Sequence, residues 1–137
     1  MNSRRSSPFH GAVVLLVQPE RDDREMYAEY LSYKGWTPLC VQEASVALTL
    51  AARADVIVTG LLLPGPMDGY SLIERLKDGM ATRHIPIVVL TVCAWTAEEA
   101  RARAAGCDAF LSKPCLPQTL LRHITRMRGT VLRHASG

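Results

Sequence analysis

Four short apolar runs in this 137-residue chain each end at residues that could meet a ligand. Ala12-Val13-Val14-Leu15-Leu16-Val17 runs into Gln18-Pro19-Glu20, and Val56-Ile57-Val58-Thr59 runs into Gly60. Ile87-Val88-Val89-Leu90 is closed by Thr91, and Phe110-Leu111-Ser112 is followed by Lys113. An ammonium and a hydroxyl brought together can grip the oxygens of a small anion. A magnesium ion asks for carboxylates and water. Glu20 is the one carboxylate at these four ends, and it stands beside an amide and an imino acid. Gly60 has no side chain, so it is neither nucleophile, carboxylate ligand nor phosphate carrier. The pattern disfavours a metal centre; Lys113 is expected to reach solvent, a backbone carbonyl, Thr91 or Glu20, and a small-anion grip by Lys113 and Thr91 is the minor reading.

Other chemistry is absent from the sequence. No G-x-x-x-x-G-K-[ST], G-x-G-x-x-G, G-x-S-x-G or H-E-x-x-H occurs, so no enzyme is expected. Cys40, Cys93, Cys107 and Cys115 show no C-x-x-C pair and no zinc spacing, and they read as small apolar residues. Cys93 and Cys115 follow Thr91 and Lys113 by two residues, which leaves a redox pair as a minor reading. Asp55 and Asp108 precede their strands, and Asp68 suits a helix N-cap.

The elements that position these residues alternate. Apolar runs with strand character are separated by amphipathic stretches, which predicts βα units on a parallel sheet. A first helix is expected from about Asp22 to Lys34-Gly35, with Met26, Tyr30 and Leu31 on one face and Gly35 as its left-handed stop. Thr37–Val41 reads as an edge strand because Pro38 cannot donate to a ladder. Residues 43–52 make a second helix, and Leu72, Ile73 and Leu76 form the inward stripe of a third behind Asp68. Thr96-Ala97-Glu98-Glu99 has the form of a capping box opening an alanine-rich fourth helix that Gly106 ends, with Trp95 at the staple position packing locally. A fifth helix runs from about Pro117 to Arg128. In a doubly wound sheet, ligands bind beyond the carboxyl ends of the strands, so Gln18, Gly60, Thr91 and Lys113 should converge.

Residues 12–128 resemble the receiver domains of response regulators. The resemblance rests on the first strand, on Thr91 closing the fourth, on Met67-Asp68-Gly69 behind Pro64, and on Asp108-Ala109-Phe110-Leu111-Ser112-Lys113-Pro114. It implies an α/β, doubly wound (βα)5 flavodoxin-like three-layer sandwich with a parallel five-stranded sheet of order 2-1-3-4-5. It also implies a phosphoacceptor aspartate four residues before Pro64, where this chain has Gly60, and two metal-binding acids where it has Gln18-Pro19. Gly65-Pro66 adds one residue to the loop. The implied reading is a degenerate, or pseudo-, receiver whose site residues are Gln18, Pro19, Glu20, Gly60, Thr91 and Lys113, with neither cofactor nor metal. Its work would be phosphorylation-independent protein–protein interaction through the face of the fourth helix, fifth strand and fifth helix. Phe110, Trp95, Ala102 and Arg122 are the switch or interface residues on that reading. The alternative is a small-anion or small-ligand sensor around Lys113 and Thr91.

Composition fits that frame. Apolar residues make up 48% and charged residues 21%, which suits one soluble domain with a single core. The net charge of +3 divides unevenly: residues 12–115 carry ten basic and thirteen acidic residues, and the ends carry six arginines and no acid. The basic ends read as solvated surface, and no recognition helix or interleaved aromatics point to nucleic acid. No apolar run is long enough for a membrane helix, and a cytoplasmic location is the default. Residues 1–11 read as a disordered arm and 129–137 as a tail or linker stub. The expected partner is a signalling protein, an output domain or a second copy of the chain.

Overall fold

The computed structural model describes residues 11–136, with side chains through residue 129. Five parallel strands, β1 (Val13–Val17), β2 (Thr37–Val41), β3 (Val56–Thr59), β4 (Ile87–Thr91) and β5 (Ala109–Ser112), pair in the order β2-β1-β3-β4-β5. The helices are α1 (Arg21–Tyr33), α2 (Ala44–Leu50), α3 (Gly69–Asp78), α4 (Thr96–Ala105) and α5 (Pro117–Ser136). The fold is the flavodoxin-like doubly wound sandwich that the alternation implied.

Burial on both sides of the sheet explains why the central strands are apolar without alternation. Leu15, Val17, Ile57, Ile87 and Val89 meet Leu72, Ile73 and Leu76 of α3 on one side. Val14, Leu16, Val58, Val88 and Leu90 meet Tyr27 and Leu31 of α1 and Leu120 and Ile124 of α5 on the other. Each such side chain contributes roughly 1.5–3 kcal/mol relative to exposure. At the amino edge, Asp55 and Asp108 accept hydrogen bonds from the N–H groups of Val13 (2.7 Å) and Ile87 (2.8 Å), so they pin strand starts far from the convergent ends.

Several boundaries differ from the sequence reading. α2 is shorter, and a 3-10 turn at Ala51–Arg53 completes the expected segment. On α1, Tyr27 and Leu31 are buried while Met26 is 41% exposed. Trp95, not Thr96, is the N-cap of α4, and no side chain bonds there, so the capping box is not formed. Asp68 does cap α3, accepting from Ser71 N–H at 2.9 Å. α5 continues past Arg128 to Ser136, through most of the stretch read as a tail. The expected N-terminal arm, apart from Gly11, lies outside the described residues.

Tyr27 ties α1 to the end of β5: its hydroxyl donates to the Cys115 carbonyl at 2.6 Å. Burial is the main cause that pushes its pKa up to about 12. An acid held protonated in the folded state stabilises the fold fully below its unfolded pKa of about 10 and loses that contribution as pH rises toward the folded value. Thermal melts should therefore show a stability loss between pH 10 and about 12. Tyr27→Phe should flatten that loss while lowering stability at neutral pH by about 1–2 kcal/mol, because the Cys115 carbonyl is left unpaired. An unchanged alkaline limb in Tyr27→Phe would show that another group titrates.

Candidate functional site

The carboxyl ends of the strands build one cavity of about 220 Å³, lined by Gln18, Pro19, Glu20, Asp23, Gly60, Leu61, Leu62, Leu90, Thr91, Val92 and Lys113. The six residues singled out in the sequence thus meet in one place. Strand register explains this: Val17 pairs with Thr59 and Thr91 with Ser112, so Gln18, Gly60 and Lys113 each stand just beyond a strand end.

Each wall has its own support. Gln18 is fully buried; its N–H donates to the Val41 carbonyl at 3.1 Å, and its side-chain Nε2 to the Leu90 carbonyl at 3.4 Å. Its Oε1 has no hydrogen-bond partner. Arg24 on α1 donates to the Gln18 carbonyl at 2.8 Å, fixing the turn out of β1. Arg24 is therefore part of the site's scaffold and not an inert surface position. Gly60 donates its N–H to the Val17 carbonyl at 3.0 Å, and its own carbonyl accepts from the Thr59 hydroxyl at 2.9 Å. Thr91 is 5% exposed, and its Oγ1 accepts from the Cys93 N–H at 3.1 Å.

Lys113 is the main difference from the sequence reading, which offered solvent, a backbone carbonyl, Thr91 or Glu20 as its partner. Its ammonium instead pairs with the Asp23 carboxylate at 2.6 Å, with the lysine side chain 12% and the aspartate 37% exposed. A mostly buried ammonium needs such a counter-charge. Asp23 lies in the first turn of α1, ninety residues away in sequence, and no local pattern in the sequence links it to Lys113.

The pocket's formal charge follows. Glu20 and Asp23 supply two carboxylates and Lys113 one ammonium. An anion would meet a lysine already neutralised. Pro19 and Gly60 offer no side-chain oxygen, so a divalent cation would find only the carboxylates of Glu20 and Asp23, the latter already paired with Lys113. Among the described residues no group of three or more His, Cys, Asp or Glu could hold a metal.

The residues proposed for an interface divide. Ala102 is completely buried, packed with the α3 side of the core, so it is not a surface residue and Ala102→Glu would test folding instead of binding. Ala97, Ala100 and Ala104 are the exposed alanines of α4, and Arg122 is exposed on α5. Phe110 is half-buried against the same core cluster. Trp95 is 78% exposed, contrary to the expectation of local packing, because no element lies over it. Cys93 and Cys115 are both free thiols. Among the described residues no helix is long and apolar enough to cross a membrane.

Comparison with known proteins agrees with this architecture. Residues 14–125 match the response regulator receiver domain. The chain is 30% identical over 103 residues to the polar-differentiation response regulator DivK of Brucella anthropi, covering 74% of this chain and 83% of that one. Among solved structures, it is similar to the receiver domain of a signal transduction histidine kinase from Syntrophus aciditrophicus, with 28% identity, a TM-score of 0.79, and coverage of 88% and 92% of the two chains. It is likewise similar to the receiver domain of the sensor histidine kinase PA1611 from Pseudomonas aeruginosa, with 27% identity, a TM-score of 0.80, and coverage of 87% and 98%. That structure holds a magnesium ion in its active-site cleft. With the matched segment spanning nearly the whole sandwich, this chain belongs to the response regulator receiver domain family.

Proposed function

We propose that this receiver domain is a pseudo-receiver, which serves two-component-type signalling by binding a protein partner without accepting a phosphoryl group. The observation that carries this reading is Gly60, which leaves the strand end where the family's phosphoacceptor would stand without a side-chain oxygen. Gln18 and Pro19 in place of an acidic pair support it, as does a Lys113 already committed to Asp23. With no nucleophile at the end of β3, the function falls to a fixed surface. The face of α4, β5 and α5, with Arg122 and the exposed alanines of α4, is the one we assign to the partner. The alternative anion sensor is weaker, because Lys113 already has its counter-charge.

Incubation with acetyl phosphate and magnesium, followed by intact-mass measurement, should show no added phosphoryl group. Millimolar magnesium should leave the melting temperature unchanged, since a ligand present at one hundred times its dissociation constant would add about 2.7 kcal/mol. A hydroxylamine-sensitive adduct would overturn the reading.

The face has its own test. Ala100→Glu, Ala104→Glu and Arg122→Glu should each weaken dimerisation or partner capture about tenfold or more while shifting stability by no more than about 0.5 kcal/mol. Glu74→Lys, exposed on α3, serves as the control. Loss of association in Glu74→Lys with the other three intact would move the interface elsewhere.

A further inference from the structure

We infer that the remodelled pocket is a socket for a basic side chain, lysine or arginine, presented by a protein partner. Gln18 Oε1 is the starting point. It belongs to a fully buried side chain that lines the cavity, it has no hydrogen-bond partner, and its Nε2 is already engaged with the Leu90 carbonyl. A buried acceptor left unpaired costs about 1–3 kcal/mol, so the pocket favours an occupant that donates. Charge points the same way. Two carboxylates, Glu20 and Asp23, face one ammonium, and that ammonium is held by Asp23 at 2.6 Å. An incoming cation meets the Glu20 carboxylate on a wall that Gln18 also lines, whereas an incoming anion meets no free positive charge.

Size argues for a side chain over a metabolite. The cavity of about 220 Å³ falls below the roughly 300–1,000 Å³ typical of small-molecule sites. Its mouth is apolar: Leu62 and Val92 are wall residues, 65% and 72% exposed. The wall formed by Asp23, Val92 and Lys113 is shared with a larger groove of about 590 Å³ that continues over Met26, Leu116 and Pro117. A chain segment with apolar residues on either side of a lysine or arginine matches both features, its flanks in the groove and its charge in the socket. This inference rests on the reading of the pocket as free of phosphoryl chemistry. An acetyl phosphate adduct would remove that reading by itself, whatever the outcome below.

The test uses the whole chain labelled with nitrogen-15 and titrated with acetylated, amidated five-residue peptides, four leucines around a central lysine, arginine, norleucine or glutamate. A lysine or arginine peptide should shift the Gly60 amide and the Gln18 side-chain amide saturably at millimolar concentration. The norleucine peptide should bind about tenfold more weakly, the worth of one hydrogen bond to a charged group. Glu20→Gln, at an exposed position, and Gln18→Leu should each reduce the preference for lysine several-fold, and Glu20→Gln keeps the test valid should Gln18→Leu not fold. Equal binding of norleucine and lysine, a preference for glutamate, saturable shifts with inorganic phosphate alone, or no saturation with any peptide would each overturn the proposal. The last result would mean that water alone answers Gln18.

Discussion

Gly69→Ala is expected to destabilise the domain by about 3 kcal/mol or more, a loss of roughly 10 °C in melting temperature. The reason is a close approach of backbone to backbone. Gly69 opens α3, and its N–H donates to the Leu61 carbonyl at 2.8 Å. A Cβ there would overlap the Gly60 carbonyl oxygen and lie 2.7 Å from Leu61 Cα. Neither obstacle is the tip of a flexible side chain, so relief requires moving α3 or the end of β3, and Leu72, Ile73 and Leu76 are fully packed behind it. Gly60→Ala is the informative comparison. Its Cβ would make only ordinary contacts, at 3.6 Å to Leu63 Cδ2 and 3.7 Å to the Leu90 carbonyl oxygen and Pro19 Cδ. Gly60 does not have a positive φ either. Replacing a glycine where alanine fits restricts the unfolded chain and stabilises by about 0.4–1 kcal/mol. Two glycines nine residues apart should thus respond in opposite directions in the same thermal melt. A Gly60→Ala loss as large as that of Gly69→Ala would show that glycine at 60 is retained for packing, which would weaken the argument from its missing carboxylate.

The residues that sequence could and could not place follow from the kind of information each needs. Strands buried on both faces are continuous apolar runs, so Val56–Thr59 and Ile87–Thr91 were legible, and their ends fixed where Gly60 and Thr91 would stand. The Asp68 cap is local and was legible for the same reason. Alanines 97, 100, 102, 104 and 105 were not separable by hydropathy, because they spread around the whole circumference of α4. Only the packing of α4 on the core marks Ala102 as the buried one. Trp95 was assigned by the general tendency of aromatics to be buried, which fails where no neighbour is present to cover it. Met26 and Tyr27 are adjacent, and the helix must rotate by only a fraction of a turn to exchange them. The Lys113–Asp23 pair was the least accessible, since no periodicity links an early helix turn to the end of the last strand. Its consequence is functional: a lysine that looked available for an anion is already satisfied.

Gly60→Asp alone is expected to leave the chain essentially unphosphorylated by acetyl phosphate, whereas Gly60→Asp combined with Gln18→Asp and Pro19→Asp should accept one phosphoryl group. A Cβ at 60 fits without displacement, its nearest neighbours standing 3.6 Å or more away. What the single change does not supply is the surrounding charge. A carboxylate at 60 would enter a cavity that already holds Glu20 and Asp23, with Lys113 drawn to Asp23 at 2.6 Å. Phosphoryl transfer is carried mainly by positioning and by cations that neutralise the transferred group, and the single variant adds negative charge without adding a cation site. The two further aspartates at the end of β1 would give a divalent cation the oxygen ligands it prefers. Intact mass should therefore separate the variants, with a hydroxylamine-labile adduct on the triple variant only. Magnesium should raise the melting temperature of the triple variant and leave that of the single variant in place. If the single variant is modified as fast as the triple, the present walls already support the chemistry, and Gly60 by itself is what keeps this receiver silent.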